Sequence, residues 1–294
     1  MSEGNSLINL GDLSKPANTL IEKISEAIGG IFKPWQTRRV AKADADAEQI
    51  KAISKIEMTE LEQRALQRFM YEEEKKQSNI ESITCQSLPQ LNEGAKPEKI
   101  EDDWITNFFD KCRLVSDEEM QGIWARILAS EANTPGRFSK RTVNFMESLG
   151  KHDAQLFTKL CAFNWILGEI QPLIYDLNAD IYIKNGINFS ILKHLDAIGL
   201  ISFESLAGYK RHGFAQKTVA VYKNAPFVLK FPKESDNEIN IGKVLLTSIG
   251  KELASICAPE TIAGFDQYVI EEWKKKGIDV NNITSPAKPS PNDE

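Results

Sequence analysis

The sequence predicts a mainly α protein: an N-terminal amphipathic helix, a long charged helix, a helical core and a C-terminal winged-helix-like α+β module. Three observations predict it. Apolar residues recur at spacings of three and four over residues 13–32. Residues 35–88 contain neither glycine nor proline. Beyond residue 189 the pattern changes to short runs rich in valine and aromatics, the signature of strands. The expected domains are 1–88 for the two N-terminal helices, 98–180 for the helical core and 181–276 for the winged-helix-like module, with a disordered tail at 277–294.

The first helix follows from Leu13, Ala17, Leu20, Ile21, Ile24, Ile28, Ile31 and Phe32, which share one stripe. Ser14 is placed to cap it and Pro16 to occupy its first turn. Gly29, Gly30 and Pro34 stop it. Leu20, Ile21, Ile24, Ile28, Ile31, Phe32 and Trp35 are the candidates for self-association or for contact with a membrane surface, where Trp35 and the Arg38-Arg39 pair would reach the headgroups. Lys15, Glu22, Lys23 and Glu26 give the polar face mixed charge, which favours core packing or self-association.

From residue 36 to at least 75, Ala, Glu, Lys, Gln and Arg dominate, and their summed propensity favours one long helix. Its length would be on the order of 60 Å at about 1.5 Å per residue. Ile50, Met58, Leu61, Ala65 and Phe69 form a narrow seam, but Ser54 interrupts it and no heptad repeat is sustained. A charged helix docked along another element is therefore expected, with the run at 72–76 as a solvated face.

Residues 89–97 hold two prolines, a glycine and an asparagine, and read as a loop. Pro97 opens a helix carrying Ile100, Trp104, Ile105, Phe108, Phe109 and Cys112. Ser116 and Glu119 form a capping box for the next, which carries Met120, Ile123, Trp124, Ile127 and Leu128. Ser139 caps a helix that Gly150 closes. Asp153 begins another, running through Leu156, Phe157, Leu160, Phe163, Trp165 and Ile166. These aromatics read as core.

In the last third, residues 189–198 form a short helix closed by Gly199. Residues 217–222, 227–231 and 243–246 read as strands. Thr247 caps a helix that Pro259 ends, and a final helix covers about 260–276. From Thr284 the chain has no apolar periodicity and reads as disordered.

Composition bounds the chemistry. The chain has 294 residues, 41% hydrophobic and 27% charged, with a net charge of −6. That length suffices for two domains, and that charge argues against non-specific attraction to nucleic acid or membrane over the whole surface. The four cysteines, Cys85, Cys112, Cys161 and Cys257, are far apart in sequence and suggest neither a zinc site nor a disulfide framework. No apolar run reaches the roughly 20 residues of a membrane span. The N-terminus lacks the features of a signal peptide, so the expected location is the cytoplasm, with peripheral contact at the inner membrane if the first helix lies on lipid.

The order helix, Gly199-Leu200-Ile201, strands, and Leu246-Thr247-x-x-Gly250 helix resembles a winged helix, with a wing in the turn at 208–213. Between residues 187 and 257 there are nine Lys/Arg against six Asp/Glu. Lys193, His194, Lys210, Arg211 and Lys217 are the candidates for phosphate contact should the module bind DNA. Residues 189–198 hold no Arg, Asn or Gln to read base edges, so a protein-contact role competes.

Catalytic signals are sparse. Only His152, His194 and His212 are present, no phosphate-binding glycine loop is complete, and no nucleophile elbow appears. Glu260, Glu272 and Lys274 imitate a metal-dependent nuclease trio, but that chemistry needs Glu272 and Lys274 on a strand, and their surroundings read as helix. No cofactor or metal is expected.

The stretch from Ile123 to Glu131 (Ile-Trp-Ala-Arg-Ile-Leu-Ala-Ser-Glu), then Pro135-Gly-Arg-Phe-Ser-Lys-Arg-Thr142 and Asp153-Ala-x-Leu-Phe157, resembles a bacterial family known as domain of unknown function 2806. The likeness runs from about residue 13 to residue 273. More distantly the chain is similar to the abortive-infection alpha proteins, through the amphipathic start, the helical core and the closing Leu-Thr-x-x-Gly helix. The resemblance implies a bacterial or prophage-borne protein acting in defence against phage, partnered by itself or another protein. It brings no catalytic residues.

Overall fold

The computed structural model describes residues 13–28 and 59–282. The chain divides into two compact units, Met1–Ser148 and Leu149–Glu294.

The first unit is helical. Helix α1 (Lys15–Ile28) buries Ala17, Leu20 and Ile24 against the Pro97–Lys99 turn and α3 (Asp102–Cys112), and Lys23 pairs with Asp102. Helix α2 (Glu60–Ser87) starts at a capping box between Thr59 and Glu62, which satisfies two otherwise unpaired N–H groups. Its first half leaves Leu61 and Phe69 68% and 60% exposed. Its second half packs along α4 (Glu118–Asn133), where Gln121 accepts from Ser82 at 2.7 Å and donates from Nε2 to Asn79 Oδ1 at 3.2 Å. Asn79 Nδ2 also donates to the Arg113 carbonyl at the end of α3, at 2.8 Å. Residues 36–58 of the expected long helix lie outside the described residues.

Aromatic packing forms the core of this unit. Phe108 stands edge-on to Trp124 at 5.1 Å and stacks with Trp104 at 5.2 Å. Glu131, buried on α4, accepts the Gly136 and Phe138 amides at 2.6 and 2.8 Å, while Trp104 Nε1 donates to the Phe138 carbonyl at 2.7 Å. The Pro-Gly-Arg-Phe turn is thus held from both sides before α5 (Lys140–Ser148), which Ser139 caps. The cap of α4 is Asp117. Ser116 instead accepts from Asn79. Gly150, expected to close α5, takes φ −75° and starts α6 (Lys151–Cys161).

The second unit overturns the mainly α expectation. Helix makes up 52% and strand 17% of the described residues, so the fold is α+β. The expected helix through Trp165 and Ile166 ends at Cys161. Trp165 and Ile166 belong to β1 (Asn164–Leu167), which turns at Gly168 (φ 76°) into β2 (Glu169–Pro172). After two short helices, α7 (Asp180–Ile183) and α8 (Phe189–Ala197), come β3 (Ile201–Phe203), β4 (Tyr209–Phe214), β5 (Lys217–Tyr222), β6 (Ala225–Lys230), β7 (Asn237–Gly242) and β8 (Val244–Leu246). Helices α9 (Ser248–Ala254) and α10 (Phe265–Lys274) precede β9 (Asp279–Asn282).

These strands do not build the single small sheet of a winged helix. An antiparallel five-stranded sheet runs β2-β1-β5-β6-β9, while β3 pairs with β8 and β4 with β7. The expected wing at 208–213 is mostly strand β4, paired to β7 with register shifts. Trp165 anchors the core, packing on Tyr222, Phe227 and Trp273 at 4.9–5.1 Å.

The Leu-Thr-x-x-Gly motif has a structural cause. Thr247 Oγ1 caps α9 by accepting the Gly250 amide at 3.0 Å and donates to the Gly199 carbonyl at 2.8 Å. A Cβ on Gly250 would sit 2.0 Å from the Leu200 carbonyl oxygen. Only glycine lets α9 lie this close to the turn that enters β3.

Two outcomes follow. Gly250→Ala should lower the unfolding free energy by about 3 kcal/mol, because backbone must move to admit the methyl; denaturant unfolding of the variant measures it. For Glu131, burial raises the pKa above the ordinary 4.5 and outweighs the backbone amides that lower it. The folded chain then holds that proton more tightly than the unfolded chain, so its contribution is full below pH 4.5 and is lost as pH rises through the raised value. The stability advantage of wild type over Glu131→Gln should therefore shrink from below pH 4.5 towards neutrality; an advantage that grows with pH contradicts it.

Candidate functional site

The second unit holds a cavity of about 290 Å³, near the lower end of small-molecule sites. It forms where the β6–β7 connection, β7 and β4 meet the end of α10. Its buried wall comprises Phe231, Asn237, Ile239, Trp273 and Ile278, and its exposed edge carries Lys210, Lys233 and Lys276.

Each part has a local cause. Asn237 donates from Nδ2 to the Phe214 and Lys233 carbonyls at 3.1 and 2.8 Å and accepts the Lys233 amide at 3.1 Å. These bonds close the Pro232–Asp236 loop and hold Lys233 at the edge. The positive φ of Asp236, 51°, completes that turn. Lys276 follows Trp273 by three residues, in the turn where Gly277 (φ 77°) ends α10 and sends the chain into β9. One helical turn therefore places an indole in the wall and an ammonium at the edge.

Charge around the cavity is unevenly matched. Lys210 pairs with Glu238 at 2.7 Å, which holds that carboxyl below its ordinary pKa. Glu272 is paired with Lys275. The ammonium groups of Lys233 and Lys276 have no carboxylate within ion-pair distance among the described residues. Lys233 also acts on Glu238 at longer range, yet neither ammonium is held in an ion pair and both can turn to a ligand.

Deeper in, two polar atoms lack partners. Trp273 Nε1 and Tyr175 Oη are buried without a hydrogen bond, and among the buried orphaned polar atoms these two belong to residues lining the cavity. The two side chains lie beside one another. Burial drives the Tyr175 pKa far above its ordinary value, so the group stays protonated and can donate. Both atoms are shielded from solvent behind the cavity wall.

The residues singled out in the sequence are spread over several elements. Lys193 and His194 are on α8, paired with Asp196 at 2.9 Å and Asp153 at 2.7 Å. Lys210 and Arg211 are on β4, where Lys210 edges the cavity and Arg211 donates to the Leu167 carbonyl at 2.7 Å. Lys217 is exposed at the start of β5. Leu20 and Ile24 are buried in the first unit and Ile21 and Ile28 half-buried, whereas Ile31, Phe32 and Trp35 lie outside the described residues. Glu260 is exposed ahead of α10, and Glu272 and Lys274 are on that helix. Among the described residues no three His, Cys, Asp or Glu side chains gather to hold a metal ion, and no helix is long and apolar enough to cross a membrane.

Sequence reading missed Tyr175, Lys233, Asn237 and Lys276. They arrive from three separated segments, and no spacing within any one of them signals the cavity.

A family model described as Protein of unknown function (DUF2806) matches residues 63–270. The match includes the Tyr175 and β4–β7 side of the cavity and stops before Trp273 and Lys276. No curated protein and no solved structure matches the chain.

Proposed function

We propose that this chain, which belongs to the DUF2806 family, is a binding protein whose second unit takes a small organic anion into the lysine-edged cavity. One observation carries the reading: two ammonium groups with no carboxylate within ion-pair distance edge a pocket walled by Phe231, Ile239, Trp273 and Ile278. A phosphate or carboxylate would engage Lys233 and Lys276 through charge-assisted bonds. An aromatic or aliphatic body would lie against Phe231, Trp273 and Ile278. We further propose that this binding serves defence against phage, as the resemblance of the sequence to abortive-infection proteins implies.

The test is a calorimetric titration with phenyl phosphate, phenol and inorganic phosphate. Phenyl phosphate should bind more tightly than either fragment. A charge-assisted hydrogen bond contributes about 1.5–3 kcal/mol, so Lys233→Gln and Lys276→Gln should each weaken binding by about tenfold or more. Equal binding by wild type and the double variant would overturn the reading. In bacteria challenged with a phage panel, protection by wild type that the double variant loses is the expected outcome for the defence setting. Protection by neither, or equally by both, counts against that setting.

A further inference from the structure

A second cluster in the same unit gathers around two sulfurs 96 positions apart in sequence. Cys161 is the last residue of α6 and fully buried, whereas Cys257 is half-buried in the irregular segment that follows α9. Thr158 stands one turn before Cys161 on the same helix face, and its Oγ1 lies 3.9 Å from Cys257 Sγ. That contact brings Cys257 beside Cys161, and the two thiols act on one another. Burial holds the Cys161 thiol well above the ordinary range, and the Asn164 side chain and Lys223, at the β5–β6 turn, offset this only in part, so Cys161 stays a thiol until a partner sulfur is activated beside it. Lys223 Nζ donates to the Pro259 carbonyl at 2.9 Å, tying the Cys257 segment to the same place.

We propose that Cys161 and Cys257 are a modification site that closes to an intramolecular disulfide under a peroxide oxidant, Cys257 reacting first and Cys161 resolving. Within the pair, oxidant reaches the half-buried sulfur and the buried one is met only by its neighbour; Cys85 is more exposed, but burial of its thiol and the Glu81 carboxylate raise its pKa and withhold the reactive thiolate. The Cys257 thiolate attacks one peroxide oxygen, the O–O bond breaks, and hydroxide leaves, giving a sulfenic acid. Cys161 gives up its proton and attacks the Cys257 sulfur. The S–O bond breaks, and the departing hydroxide takes that proton as water. Two thiols are oxidised by two electrons and the peroxide is reduced to two waters. Irregular backbone beyond α9 allows the small shift that disulfide geometry requires.

The full chain is titrated with hydrogen peroxide until the first cysteine reacts, then unfolded, alkylated and mapped by mass spectrometry. The expected first product has lost two hydrogens, carries alkyl groups only on Cys85 and Cys112, and yields one linked peptide pair containing Cys161 and Cys257 that dithiothreitol separates. Cys257→Ser, a change at a half-exposed position, should abolish that pair and leave Cys161 alkylatable. A first product that is a Cys257 sulfinate with Cys161 still a thiol, a bridge to Cys85 or Cys112, or any oxidation elsewhere would overturn the proposal.

Discussion

The contact that the second unit depends on is the edge-to-face packing of Trp165 on Trp273, with ring centroids 4.9 Å apart. Trp165 is on β1 in the five-stranded sheet, and Trp273 is in the last turn of α10. Aromatic pairs of this geometry add about 0.5–1.5 kcal/mol beyond the area they bury. Pinned there, α10 ends in the place that lets β9 join β6 and close the sheet edge. The same pinning directs one edge of the Trp273 indole towards Tyr175 and leaves Lys276 at the cavity edge. Fold and candidate site therefore share one side chain.

Much of the fold was legible in the sequence because local rules produced it. The first amphipathic stripe, the Ser139 and Thr247 caps, the α8 helix with its Gly199 closure, and β5 all follow from spacing and capping chemistry. The failures were tertiary. Phe163, Trp165 and Ile166 continue a helical spacing from α6, yet Ala162 ends the helix and Gly168 supplies the positive φ that a tight hairpin needs. Periodicity cannot separate a short buried strand from the end of a helix. Strand partners were equally hidden. β5 and β6 look like neighbours of β3, but their inward residues Ala220, Tyr222, Phe227 and Leu229 complete the hydrophobic face begun by Trp165.

The candidate site was less legible than the fold. Lys210 and Glu272 were noticed for other chemistries, and the structure gives each an ion-pair partner. The residues left with unmatched charge or orphaned donors, Lys233, Lys276, Tyr175 and Trp273, have no motif because their meaning lies in what they lack. The thiol pair is hidden in the same way, since 96 positions separate two sulfurs that the fold makes neighbours. By contrast, the stretches that carry the family resemblance, around Glu131, Phe138 and Gly250, have structural causes: a buried carboxylate tying a turn and a glycine admitting a helix to a carbonyl.

The most direct measurement of the central claim is a proton–nitrogen correlation spectrum of the full chain with its five tryptophans labelled at the indole nitrogen, recorded as phenyl phosphate is added. The account predicts that the indole signal missing from Trp273→Phe shifts progressively to saturation, as the probe seats against the Trp273 ring. A Trp273 signal that stays fixed while the probe binds, or a spectrum that does not change at all, would contradict it.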